Sequence, residues 1–285
     1  MNLTVALPNK GALSDGAASI FKTAGYRLRM DARDLSFTDS ASGVEFVYLR
    51  PRDIATYVAS GEIDLGVTGR DLLMDSGADA TEVLALNFGK SQFRFAGPVE
   101  SVTAGVLSES KLIGKRIATS YPRIVGKYLS TNSLSAQIVH LDGAVEGAIK
   151  LGVADLIADV VSTGNTLRQA SLAVFGRSLL DSEAILIARH DRDRKDLARI
   201  LRRIEGVVIA RQYVLVDYDV TEANLAAACE ITPGLESPTI SPLHKPGWVA
   251  VRAMVKESDV HDVMDRLWEV GARGILVTDL HLSRL

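Results

Sequence analysis

Apolar residues fall at two periods along this chain, and the changes of period mark its elements. Leu3, Val5 and Leu7 open a strand that stops at Pro8-Asn9-Lys10-Gly11. Ser14 can cap a helix with Ile20, Phe21 and Ala24 on one face, and Gly25 ends it. Pro51 suits a first helical position, and Ile54, Tyr57 and Val58 follow at three-four spacing before Gly61. Ile63, Leu65 and Val67 then alternate as a strand that breaks at Thr68-Gly69. A comparable unit begins near 112: strand 116–119, helix 122–129, strand 137–141, and a helix capped by Asp142 that stops near Gly152. Strand 156–161 follows and breaks at Ser162-Thr163-Gly164. Strand–helix alternation of this kind predicts α/β layering with largely parallel strands.

Two stretches echo each other. Gly61-x-x-Asp64-Leu65 leads to Thr68-Gly69, and Gly152-x-x-Asp155-Leu156 leads to Thr163-Gly164. So few matching positions also arise by chance; the bolder reading is two similar lobes facing across a cleft, joined by crossing strands at 92–96 and 184–188. Further on, Leu197, Ile200, Leu201 and Ile204 make a helical stripe that ends at Gly206. Strand 213–216, helix 221–229, strands 239–243 and 248–255, helix 258–270 and strand 275–278 then read as βαββαβ, the ferredoxin-like order. The expected division is 1–95 with 179–208 as lobe I, 96–178 as lobe II, and 209–285 as a separate C-terminal domain.

Composition narrows the chemistry. A formal charge of -3 gives no case for nucleic acid as a partner. One cysteine, Cys229, leaves no disulfide framework or multi-cysteine metal cage, and its apolar surroundings suggest a bystander thiol. No apolar run approaches the ~20 residues that span a bilayer, and the N-terminus lacks a signal-peptide pattern, so a cytoplasmic protein is expected.

The most informative stretch is 154–167. A buried strand runs into Ser162-Thr163-Gly164-Asn165-Thr166 and then a helix. Free amides at a helix start, a glycine that lets the backbone approach, and three hydroxyls suit a phosphate. Asp155 and Asp159, four apart, share a strand face where carboxylates can accept from ribose hydroxyls. The bland alternative is a capped helix start; strand, carboxylates and turn together favour a 5-phosphate and ribose site. Neither a P-loop nor a Rossmann fingerprint is present. Lys10 follows the first strand, where open α/β sheets bind ligands, and is equally readable as a solvated turn lysine. Arg50 could meet a triphosphate or pyrophosphate, and Arg94 could do likewise or pair with a carboxylate at the hinge. Glu146, taken alone, reads as a surface charge. No metal-ligand spacing or Ser/His/Asp set is legible.

These residues resemble one family over the whole chain: the long, histidine-regulated ATP phosphoribosyltransferases. The resemblance is carried by Pro8-Asn9-Lys10-Gly11, the 49–54 and 64–71 segments, 116–122, Glu146 through Leu167, and 232–243. It implies a two-lobed catalytic part like a periplasmic binding protein, a ferredoxin-like regulatory domain, Mg²⁺ dependence, and a hexamer built from dimers. By position, Ser162, Thr163, Gly164, Asn165 and Thr166 would hold the 5-phosphate of phosphoribosyl pyrophosphate. Asp155 and Asp159 would lie near the ribose and Glu146 near the reacting ring, the catalytic set. Lys10, Arg50, Gly69 and Asp71 would face ATP or pyrophosphate; the metal ligands stay unassigned. Histidine would bind the C-terminal domain at Asp217, Asp219, Leu235, Pro238, Thr239 and Ala272. The rival readings are a non-catalytic two-lobed sensor of small molecules and a phosphoribosyltransferase with another acceptor base.

Overall fold

The computed structural model describes residues 3–28, 35–191 and 194–284. The chain divides into two compact units, Met1–Ser19 with Arg27–Asp193, and Ile20–Tyr26 with Arg194–Leu285.

The first unit holds two sheets. In chain order its first half is β1 (Thr4–Pro8), α1 (Ala12–Thr23, shared with the second unit), β2 (Ser36–Asp39), β3 (Val44–Leu49), α2 (Pro51–Ser60), β4 (Leu65–Gly69), α3 (Arg70–Ser76) and β5 (Ala80–Ala85). The second half is β6 (Ser91–Pro98), α4 (Val99–Thr103), β7 (Arg116–Thr119), α5 (Pro122–Thr131), β8 (Gln137–His140), α6 (Gly147–Lys150), β9 (Leu156–Val161), α7 (Asn165–Gln169) and β10 (Leu172–Ser182). β11 (Ala184–Arg189) then returns to the first sheet, whose order is β2-β3-β1-β4-β11-β5; the second is β10-β6-β9-β7-β8. β1 runs parallel to β3 and β4, and β7 parallel to β8 and β9, so loops that leave these strands gather at one end of each sheet.

β4, interior to its sheet between β1 and β11, is buried along its whole length, and α2 covers the face that carries Gly66 and Thr68. Gly66 permits that approach: a Cβ there would stand 2.4 Å from Ile54 Cγ2. Apolar clusters on both faces of the second sheet, Phe93-Phe95-Ile117-Leu156 and Ala96-Ala118-Ile157-Leu167, fix lobe II.

The chain crosses between the lobes at 86–90 and at Glu183. The crossings are bonded side by side: Ala184 N–H donates to Phe88 O (2.9 Å) and Leu86 N–H to Ala184 O (3.0 Å). The expected hinge strands therefore lie one in each sheet, 92–96 within β6 and 184–188 within β11, with the hinge between them. Residues 91–95 and 179–182 belong to the lobe II sheet, where lobe I was expected.

The second unit carries α8 (Arg194–Ala210), β12 (Tyr213–Thr221), α9 (Leu225–Ile231), β13 (Thr239–Pro242), β14 (Trp248–Lys256), α10 (Val260–Glu269) and β15 (Arg273–Asp279). Its antiparallel sheet has the order β13-β14-β12-β15, and α9 and α10 contribute to the cluster of Val216, Tyr218, Val251 and Leu267 beneath one face. That is the ferredoxin-like arrangement. The contact division falls before α8, so this helix groups with the C-terminal unit and not with residues up to 208. Cys229 in α9 is half-buried, and burial pushes its thiol pKa up, away from the thiolate.

Candidate active site

In lobe I, the ends of β3, β1 and β4 set Arg50, Lys10 and the Gly69–Asp71 turn at neighbouring strand ends, roughly 4.8 Å per strand. Asn9 N–H donates to Leu49 O (2.8 Å), which ties the first two together. Lys10 and Arg50 are exposed. Gly69 and Asp71 are buried, and the Ser182 hydroxyl donates to Asp71 Oδ1 at 2.6 Å. Arg70, between them, is committed to the hinge: it bonds Glu82 at 2.8 and 2.9 Å and Glu183 at 3.2 Å.

Opposite, the end of β7 presents Tyr121 and the end of β9 presents Asp159 and the hydroxylic turn. Tyr121 packs edge-on against Phe93 and lies under the Arg52 guanidinium, 4.8 Å from the ring centroid. Its phenol is pushed well above the usual tyrosine pKa by burial, then by the charge of Asp71 and a hydrogen bond to it, and also by Asp159. Asp159 is pushed up to about 6, first by burial and then by the charges of Glu146 and Asp71; the Val160 N–H, at 2.7 Å, and Arg52 act against this. Asp71, Tyr121, Glu146, Asp159 and Arg52 thus form one electrostatic group that spans both lobes.

The turn at 162–166 is open. Ser162, Thr163, Asn165 and Thr166 are exposed, while Leu167 is anchored in the core. Gly164 has φ +69, and a Cβ there would meet nothing nearer than 3.5 Å, so glycine serves the backbone angle and not a lack of space. α7 is only five residues long, so the turn's own amides and hydroxyls matter more than a helix dipole. Arg168 folds back to donate to Asn165 Oδ1. Residues 162–164 line a cavity of about 780 Å³ with Lys90, Arg94 and Arg168. Arg94 Nε is buried in that region and unpaired among the described residues.

Asp155 does not join this group. It precedes β9, seven residues from Ser162, or roughly 23 Å along an extended strand. Its carboxylate accepts from Arg116 N–H at 2.8 Å and from Arg116 Nη2 at 2.9 Å, which holds its pKa low. In lobe I the Asp64 carboxylate likewise accepts from a strand-start amide, Thr4 N–H, at 2.9 Å. The echo in the sequence is thus a paired structural clasp: each aspartate closes the start of a central strand onto its parallel neighbour. A ribose contact for Asp155 is incompatible with that position.

In the C-terminal unit Asp217 and Asp219 share one face of β12, and Arg252 holds Asp217 at 2.7 Å. Gly274, at φ +59, leaves Asp219 uncovered: a Cβ there would lie 3.5 Å from its Oδ2. Leu235, Pro238 and Thr239 lie at or before edge strand β13, whereas Ala272 precedes β15 at the opposite edge, about 14 Å away across three strand spacings. The set therefore spans the sheet from one edge strand to the other.

The residue-by-residue reading missed Tyr121, Arg52, Ser182, Lys90 and Arg168 as candidate site residues. Arg168, three after Asn165 in the turn, was the one findable from spacing; the others depend on which strands and lobes become neighbours.

Comparison with known proteins gives matches over nearly all the chain. The family model for ATP phosphoribosyltransferase matches residues 50–206, and the model for the HisG C-terminal domain matches 210–282. A protein of Kocuria rhizophila named ATP phosphoribosyltransferase is 54% identical over 284 residues, covering 99% of this chain and 100% of its own. One of the same name from Micrococcus luteus is 53% identical over 285 residues, with the same coverage. Among solved structures, the ATP phosphoribosyl transferase (HisG:HisZ) complex from Thermotoga maritima aligns with TM-score 0.60 and 25% identity. The alignment takes in 98% of that chain but 73% of this one, which is the longer.

Proposed function

This chain belongs to the ATP phosphoribosyltransferase family, and on that premise we propose how its cleft joins N1 of the ATP adenine to C1 of phosphoribosyl pyrophosphate. The observation that carries the proposal is the open turn at 162–166, set at the end of β9 just beyond Asp159, whose carboxyl feels Glu146 of its own lobe and Asp71 of the other. Thr163 and Thr166 hydroxyls and the turn amides bind the 5-phosphate, with Arg168 beside them. Lys10 and Arg50 bind phosphates of ATP or the departing pyrophosphate from lobe I.

Adenine N1 is neutral and carries its own lone pair, so no base has to activate it. It displaces pyrophosphate at C1 with inversion, through a ribosyl-cation-like transition state. The chain's work is positioning and charge stabilisation. Asp159, with Glu146 and Asp71 near it, presents negative charge to the carbon that becomes positive.

Mg²⁺ fits this donor set. Among the described residues no group of three or more His, Cys, Asp or Glu forms a cage, and Mg²⁺ is commonly held by one or two carboxylates plus substrate phosphates. Asp71, beside Lys10 and Arg50 at the lobe I strand ends, is the carboxylate that would hold it together with substrate phosphate oxygens, where the ion would supply charge neutralisation for the departing pyrophosphate.

Among the described residues no helix is long and apolar enough to cross a membrane, and we place the enzyme in the cytoplasm with its substrates. The product opens histidine biosynthesis, and we propose that histidine inhibits through the C-terminal unit. A ligand touching both edges of that sheet requires two copies edge to edge, which ties inhibition to assembly. Exposed Ile240, Leu276 and Val277 on β13 and β15 supply apolar surface for such pairing, in a hexamer built from dimers.

Incubation with ATP, phosphoribosyl pyrophosphate and Mg²⁺ should yield the N1 adduct and pyrophosphate. Adduct formation with a different base but not with ATP would overturn the acceptor, and binding without turnover would overturn the reaction.

A further inference from the structure

Asp75 lies in the last turn of α3, where the helix dipole disfavours a negative charge, yet it is only 6% exposed. Its stabilisation comes from the other lobe. Oδ1 accepts from the backbone N–H of Arg123 at 2.9 Å and of Ile124 at 3.3 Å, the first turn of α5. The residue at the N-cap of α5, Tyr121, makes no side-chain cap bond of its own, so an acid from lobe I fills that role for a helix of lobe II. Oδ2 accepts from Arg52 Nη1 at 3.2 Å, and this same guanidinium covers the Tyr121 ring. One buried carboxylate thus organises contacts from α2 and α3 to α5.

We propose that Asp75 is a positioning residue that clasps the two lobes, capping α5 from the opposite lobe and holding Arg52 against Tyr121, so that the width of the cleft is set before substrate enters. The clasp follows from chemistry. Opening the lobes here would leave a carboxylate and two amides without partners, and such groups either stay paired or must be rehydrated together. Tyr121 and Arg52 touch the electrostatic group around Asp159, so the clasp fixes the geometry that the reacting sugar meets. Its kinetic consequence rests on the cleft reading above; the clasp itself does not.

Two substitutions separate the cap from the charge. Asp75→Asn keeps an acceptor oxygen for the amides but loses the charge facing Arg52, and Asp75→Ala loses both. In the full-length protein, hydrogen exchange of peptides spanning 122–126 should quicken by about tenfold in Asp75→Ala and stay near wild type in Asp75→Asn. The β4 amides should keep their protection in both, as the folding control. Asp75→Asn should raise KM for phosphoribosyl pyrophosphate by about fivefold with kcat within about twofold, and adding it to Arg52→Met should lower kcat/KM no further than Arg52→Met does alone. If Asp75→Ala does not fold, these two and their combination carry the test. Unaltered exchange at 122–126 in a folded Asp75→Ala overturns the clasp; a fall in kcat at constant KM, or independent effects that multiply, overturns the positioning role.

Discussion

Replacing Asp159 with asparagine should make the enzyme more stable and less active. The carboxyl ionises near 3.8 in an ordinary setting and near 6 in the folded protein, chiefly because it is buried and then because Glu146 and Asp71 are close. Between those pH values the folded chain holds a proton that the unfolded chain has released. Stability therefore falls as pH rises through this window and levels off above it. At 1.36 kcal/mol per decade, the displacement converts to ~3 kcal/mol as a ceiling. An open cleft relaxes around a charge, and about half that figure, ~1.5 kcal/mol, is the expected gain of Asp159→Asn at pH 7.5. For a unit of this size that is a rise of roughly 3–6 °C in Tm. The assay is urea unfolding of both proteins from pH 4 to 8 with slopes compared, plus kcat/KM for phosphoribosyl pyrophosphate over the same range. The stability difference should close toward pH 4. The wild-type rate should rise with an apparent pKa near 6, and the variant should lose that limb. A gain that persists undiminished at pH 4 would mean packing and not charge, and equal stability throughout would refute the reasoning.

Asp155→Ala should lower stability by about 1–2 kcal/mol through loss of its Arg116 bonds, with kcat and KM within about twofold; melting and kinetics check this, and a tenfold loss of kcat would restore a role at the ribose. Thr163→Ala or Thr166→Ala should reduce kcat/KM for phosphoribosyl pyrophosphate by about a hundredfold, the ~3 kcal/mol of a hydrogen bond that tightens in the transition state; steady-state kinetics without loss in either would count against the turn. Asp219→Ala should raise the histidine concentration for half-inhibition by about tenfold, while Asp217→Ala, already engaged by Arg252, should shift it less than about threefold. Inhibition titrations that rank the two the other way would move the ammonium contact to Asp217.

What was legible in the sequence was whatever depends on near neighbours. β9 runs over the expected residues because its apolar run ends at hydroxyls and a glycine. The βαββαβ order came through because each element there is short and sharply bounded. β10 escaped notice because its pairing with β6 shifts register between Phe175 and Leu180, which destroys the alternation a strand would show. The stripe on α8 announced a buried face but carries no information on which unit receives it. Asp155 was misread for a related reason. Two aspartates four apart on a strand do share a face, but the partner that claims the first is Arg116, thirty-nine residues away. Asp75 is further still from local signals, since its amide partners on α5 lie 48 and 49 residues on, in the other lobe.

The polarity of the site argues for one orientation of a phosphoribosyl group. At one end stand the hydroxyls and amides of 162–166 with Lys90, Arg94 and Arg168, all suited to an anion. The interlobe group brings together Asp71, Glu146 and Asp159, and burial first, then the charges of Glu146 and Asp71, raise the Asp159 pKa. A sugar with its phosphate on the turn points its anomeric carbon toward the acidic end. Positive charge that grows on that carbon relieves the repulsion, while the same charge in the ground state is absent. Interactions that strengthen only as the reaction proceeds accelerate it, whereas uniform binding does not. On the proposed mechanism the cost of ionising Asp159 is the other face of its use: burial and its acidic neighbours disfavour the carboxylate until a cationic centre forms beside it, and a substitution that removes that cost should remove the stabilisation too.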